Sequence, residues 1–124
     1  MVRPRFELVA TVLGAPDPRA LASFYERLLG WKVIRSEPDW VILRPLDGER
    51  GLSFQEEPGY VPPVWPSGPG DQQMMAHLDI LVDDLDHGVA WAIEAGARLA
   101  EFQPQADVRV MLDPVGRPFC LFTS

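Results

Sequence analysis

Apolar residues recur along the chain at two spacings, and the alternation between them divides it into segments. An apolar run from Phe6 to Leu13 reads as extended chain. The segment LGAPDPRALASFYERLLGW follows, in which Leu21, Phe24, Tyr25 and Leu28 stand at intervals of three, four and seven, forming one helical stripe that must pack on something apolar. Both ends of this helix are marked. Asp17 is placed to cap it, Pro18 takes its first position, where a missing N–H is harmless, and Gly30 lies just past its end. Three short strand-like runs come next, WKVIRS, DWVILRP and GLSFQE, separated by the turn signals Glu37-Pro38-Asp39 and Asp47-Gly48-Glu49. Five of the chain's 13 prolines fall between Glu57 and Gly70, which predicts a loop over 57–74.

After the loop the order starts again: a strand in AHLDILVD, a helix from Asp84 to Ala95 ended by Gly96, then extended runs near Arg98, in VRVMLD and in PFCLFTS. Sliding the chain by 67 residues lays Asp17 on Asp84 and Phe24 on Trp91, with Gly30 and Gly96 one residue out of step. The pattern predicts an α+β domain of two βαβββ repeats, at about 5–56 and 75–124, each with a mixed sheet. The second helix is less cleanly amphipathic. Gly88, Trp91, Ala92 and Ala95 take its stripe, while Val89 and Ile93 lie off it. Trp31, Trp40 and Trp91 are assigned to core.

Composition narrows the partners. With 47% hydrophobic and 23% charged residues in a chain of 124, a single folded domain is expected. Eleven Lys plus Arg against 18 Asp plus Glu give a net charge of −7, which disfavours nucleic acid and attracts cations. Apolar stretches are too short to span a bilayer, and Met1 to Phe6 carry two arginines and a proline where a signal peptide would be apolar. The single cysteine, Cys120, cannot form an internal disulfide. A cytoplasmic protein without membrane attachment is the expectation.

The segments APDPRALASFYERLLGW, HLDILVDDLD and DPVGRPF, in this order and around two βαβββ units, resemble the vicinal-oxygen-chelate superfamily of glyoxalases, bleomycin-resistance proteins and dioxygenases. The resemblance covers nearly the whole chain. It implies cupped sheets that close around a pocket, within a chain or across a homodimer. Enzymes of the family hold a divalent metal there through His, Glu or Gln, and the metal polarises vicinal oxygens of the substrate. Other members are metal-free proteins that sequester bleomycin-like drugs, so the fold leaves function open.

Carried over to this chain, the metal position seven residues before the capping aspartate holds His77 in the second repeat and Ala10 in the first. The family's glutamate four residues after Gly116 is Cys120 here, and its counterpart under the 67-residue shift is Ser53, with Gln55 two residues on. Ala10 cannot bind a metal and Ser53 is a poor ligand, so no metal cofactor is expected. If one were bound, His77, Gln55 and Cys120 would hold it. Strand alternation puts His77, Asp79 and Leu81 on one face and Leu78, Ile80 and Val82 on the other, against the helix. His77, supported by Asp79, is the candidate for acid–base work, because a neutral imidazole can accept a proton near pH 7. His87 falls on the exposed side of its helix.

Tyr60 and Trp65 give the proline-rich loop a rigid apolar surface, and Gln72 and Gln73 could offer amide hydrogen bonds at a pocket rim. The pocket expected is thus Ser53, Gln55, Tyr60, Trp65, Gln73, His77 and Cys120, receiving a small, largely apolar or cationic organic molecule without a catalytic metal. Two alternatives stand beside it. One is a metal-dependent lyase, isomerase or dioxygenase using His77; the other is a structural or partner-binding module.

Overall fold

The computed structural model describes residues 1–124, which fall into two compact units, Met1–Pro58 and Gly59–Ser124. In the first, β1 (Ala10–Ala15), α1 (Pro18–Leu29), β2 (Lys32–Glu37), β3 (Trp40–Arg44) and β4 (Gly51–Glu56) form a four-stranded sheet of order β1-β4-β3-β2 with the helix packed on it. In the second, β5 (Leu78–Leu81), α2 (Leu85–Ala95), β6 (Arg98–Leu99), β7 (Val108–Leu112) and β8 (Pro118–Phe122) repeat the plan as β5-β8-β7-β6. In both sheets the first strand runs parallel to the fourth and the remaining pairs are antiparallel. The α+β class and the two βαβββ repeats are as the sequence predicts.

The repeat extends to register. Val12 faces Ser53 across β1 and β4, and Asp79 faces Cys120 across β5 and β8, so the 67-residue shift carries one pair onto the other.

Helix α1 begins where expected. The Asp17 carboxylate accepts the backbone N–H of Arg19 and Ala20 at 3.1 and 3.2 Å, satisfying two donors that the helix cannot, and Gly30 closes the far end. Leu21, Ala22, Phe24 and Tyr25 are buried against the sheet. Tyr25 packs edge-on to Phe24, with ring centroids 4.7 Å apart, and stacks on Phe54 of β4 at 5.7 Å. Asp84 caps α2 in the same manner, accepting the His87 N–H at 2.8 Å, and the His87 residue is exposed as expected.

Three expectations need correcting. The first strand begins only at Ala10, because its ladder with β4 starts at the Ala10–Gly51 pair; Phe6 and Leu8, which precede it, are exposed. The strand expected in AHLDILVD narrows to Leu78–Leu81, so His77 stands one residue before it. Trp91 is not core: it is 55% exposed, while Trp31 and Trp40 are half-buried. The stripe of α2 is Leu85, Gly88, Val89, Ala92 and Ala95, the equivalents of Pro18, Leu21, Ala22, Tyr25 and Leu28 in α1. Val89 therefore lies on it and Trp91 beside it. Small residues on this stripe bring the helix close to the sheet. A Cβ added at Gly88 would lie 3.2 Å from both methyl groups of Val82, tighter than ordinary packing allows.

The β7–β8 turn is built by Asp113, whose side chain is buried. Its Oδ1 accepts the backbone N–H groups of Val115 and Arg117, each at 3.0 Å, and its Oδ2 lies 3.5 Å from the Arg117 guanidinium. Gly116 adopts φ +83° in this turn, a left-handed conformation that a side chain would strain. The Asp-Pro-x-Gly sequence is therefore a structural device.

Candidate functional site

The face of β5 and β8 turned away from α2 carries the chemistry. Along β5, Leu78, Ile80 and Val82 are half-buried while His77, Asp79 and Leu81 are exposed, as strand alternation requires. On β8, Phe119 and Leu121 are buried, leaving Cys120 and Phe122 on the opposite face. His77, Asp79, Cys120 and Phe122 thus line one open cleft of about 300 Å³, joined by Gln105, Asp107 and Val108 at the start of β7, and by Thr123.

Within the cleft His77 Nε2 lies 3.0 Å from Asp79 Oδ1. Ligand atoms of His77, Asp79 and Cys120 all lie within 4.8 Å of one another. Burial pushes the Cys120 thiol up in pKa, and the negative charge of Asp79 pushes it further in the same direction. Cys120 is therefore held protonated, the opposite of what a nucleophilic cysteine needs.

No lysine or arginine lines this cleft. Arg109, on the neighbouring strand, projects from the face of β7 opposite to Val108, and its guanidinium donates to the carbonyl oxygens of Ala106 and Val108 at 2.9 Å. The cleft wall combines two carboxylates, an imidazole and a thiol with the side chains of Val108 and Phe122.

Within the second unit, Tyr60, Trp65 and Gln73 do not line this cleft. Ser53 and Gln55 belong to β4 of the first unit, where Ser53 is buried and the Gln55 amide donates to Glu57 Oε1 at 2.7 Å. Tyr60 and Gln73 line a different hollow of the second unit. Trp65 anchors the proline-rich loop, its indole N–H donating to the Phe102 carbonyl at 3.2 Å and its ring lying 6.1 Å from that of Phe102. The structure brings together His77, Asp79 and Cys120, and adds Asp107, Gln105 and Phe122, which sequence reasoning missed. Phe122 was within reach, since it stands two residues beyond Cys120 and so on the same strand face. Asp107 was not, because only the Val108–Phe122 pairing carries it to the cleft.

The comparisons with known proteins agree with this architecture. The family model for the glyoxalase-like domain matches residues 10–122. A glyoxalase/bleomycin resistance protein/dioxygenase family enzyme from Burkholderia phytofirmans PsJN superposes with a TM-score of 0.68 at 22% identity, covering 95% of this chain and 98% of that one. The bleomycin resistance determinant encoded on the transposon Tn5 gives 0.58 at 20% identity over 96% and 98% of the two chains. TnmS3, an antibiotic binding protein from Streptomyces sp. CB03234, gives 0.59 at 16% identity over 98% of each. At these identities the likeness is one of fold. A search among curated protein sequences finds no match. No helix is long and apolar enough to cross a membrane. By its family match over both repeats, the chain belongs to the glyoxalase-like domain family, within the vicinal-oxygen-chelate superfamily.

Proposed function

We propose that this chain is a binding protein whose His77 cleft receives a small organic cation with an apolar body and holds it without catalysing a reaction. One observation carries the reading: Asp79 and Asp107 line the cleft together with the apolar side chains of Val108 and Phe122, and no lysine or arginine lines it. A partly desolvated cation gains from two carboxylates what it loses in hydration, and the net charge of −7 draws it in from a distance. Phe122 offers an aromatic ring to the apolar body. The Tn5 determinant and TnmS3 share the fold, and their names attribute drug resistance and antibiotic binding to them. We read the protein as one domain of two repeats, working as a cytoplasmic homodimer. The free thiol of Cys120 suits a reducing compartment, and Trp91, Ile93 and Leu99 are each about half exposed, giving apolar surface that a second copy could cover.

A second reading rests on the His77, Asp79 and Cys120 trio, whose nitrogen, oxygen and sulfur donors are of the types that zinc accepts. A divalent ion there would polarise an oxygen of a bound substrate. Asp79 would then take the place expected for Gln55, and binding would have to displace the thiol proton of Cys120.

One preparation separates the two. Protein purified without chelators is first analysed for metals, then titrated calorimetrically with phenyltrimethylammonium and with its uncharged isostere tert-butylbenzene. The cation is expected to bind about tenfold more tightly at low salt, with the preference shrinking as ionic strength passes about 0.1 M. Equal affinity for the two probes, or no binding of the cation, would defeat the binding-protein reading. A stoichiometric transition metal in the purified protein would favour the second.

A further inference from the structure

The unit of residues 59–124 has a second hollow, of about 280 Å³, between the inter-repeat loop and the β7–β8 turn. Its charge is opposite to that of the His77 cleft. Arg117 is the one charged residue in its lining, and no carboxylate lines it. The Arg117 guanidinium stands 5.1 Å from the centre of the Tyr60 ring, a cation–π contact that helps fix both. Asp113, the acid that faces Arg117, is buried in the turn and outside the hollow. The ion pair between them is long, at 3.5 Å, and uses Asp113 Oδ2, while Oδ1 accepts the two backbone N–H groups of the turn.

Two further features mark the place. The Tyr60 hydroxyl is buried and has no hydrogen-bond partner, although a buried polar group is nearly always paired. Burial raises the pKa of this phenol, with Arg117 pulling it down and Asp113 pushing it up, so at neutral pH it is an O–H donor. Met75 adopts φ +63°, an uncommon conformation for an unbranched side chain, and lies in the wall of the hollow beside Gln73 and Met74.

We propose that this hollow is a separate binding site for the carboxylate end of a small organic acid, recognised by Arg117 and the Tyr60 hydroxyl, with Met74, Met75 and Pro63 against its apolar body. A planar carboxylate matches the fork of a guanidinium, whereas a neutral group makes hydrogen bonds about half as strong. A single positive charge with an acid behind it suits a monoanion better than a phosphate dianion. At about 280 Å³ the hollow is at the lower end of the range for ligand pockets, which limits the guest to a compact molecule. The site is independent of the His77 cleft and of what binds there.

The test is a titration of the isotope-labelled full chain, followed by amide NMR shifts, with benzoate, benzamide and inorganic phosphate. Benzoate is expected to move the amides of Gln73, Met75 and Arg117 saturably, and to bind about tenfold more tightly than either benzamide or phosphate. Tyr60→Phe should weaken benzoate about five- to tenfold while leaving Tm unchanged or higher, since it removes a buried hydroxyl that has no partner. A loss of affinity accompanied by a lower Tm would mean a structural role for Tyr60 and would overturn the proposal. So would shifts centred on His77, benzamide or phosphate binding as well as benzoate, or the absence of saturable shifts with benzoate.

Discussion

Replacing Phe54 by alanine is expected to lower the folding free energy by about 3–5 kcal/mol, the range for removing a fully buried aromatic ring. Phe54 is completely buried in β4, pairs across the sheet with buried Val41, and stacks on Tyr25 of α1 with ring centroids 5.7 Å apart. Tyr25 in turn abuts Phe24, so the ring links helix to sheet. Truncation forfeits the transfer of the ring out of water and leaves a cavity that its rigid neighbours cannot fill. Chemical denaturation of the full chain should show the transition midpoint falling at constant slope. A loss under about 1 kcal/mol would show that Phe54 does not anchor this core.

Asp113→Ala is expected to cost a comparable amount, about 3–5 kcal/mol, for a different reason. The carboxylate is buried, orders the β7–β8 turn by accepting two backbone N–H groups, and faces a guanidinium that is itself only partly exposed. Alanine removes the acceptor of both N–H groups and the carboxylate that faces the guanidinium. Asp113→Asn retains an oxygen for the N–H groups and loses only the charge, so it should cost about 1–2 kcal/mol. Equal losses in the two variants, measured by the same denaturation, would mean that the ion pair and not the turn is what Asp113 maintains.

Where the sequence spoke through local chemistry it was legible. Asp17 and Pro18 mark the start of α1 and Asp84 that of α2 because capping needs only the residue and its neighbours. The 67-residue repeat was visible because two copies of one fold place like residues at like positions, down to the Val12–Ser53 and Asp79–Cys120 pairs. Alternation alone put His77 and Asp79 on one face. Trp91 was misread because the phase of a helix stripe is set by what lies beneath it. In α2 the sheet is approached through Gly88 and Ala92, where α1 uses Leu21 and Tyr25, and the large ring beside them turns outward. Asp107 and Arg117 escaped for a related reason: each reaches its hollow only through hairpin pairing or loop closure. Tyr60 and Gln73 were expected beside His77, but lie with Arg117 instead.

Selection of a cation by the acidic cleft is tested most directly by removing its charge. Phenyltrimethylammonium should be titrated calorimetrically into the wild type and into the double variant Asp79→Asn, Asp107→Asn, at low salt and with matched Tm values. If the two carboxylates do the selecting, affinity falls at least about tenfold in the double variant while that of tert-butylbenzene is unchanged. An undiminished affinity for the cation in the double variant would contradict it.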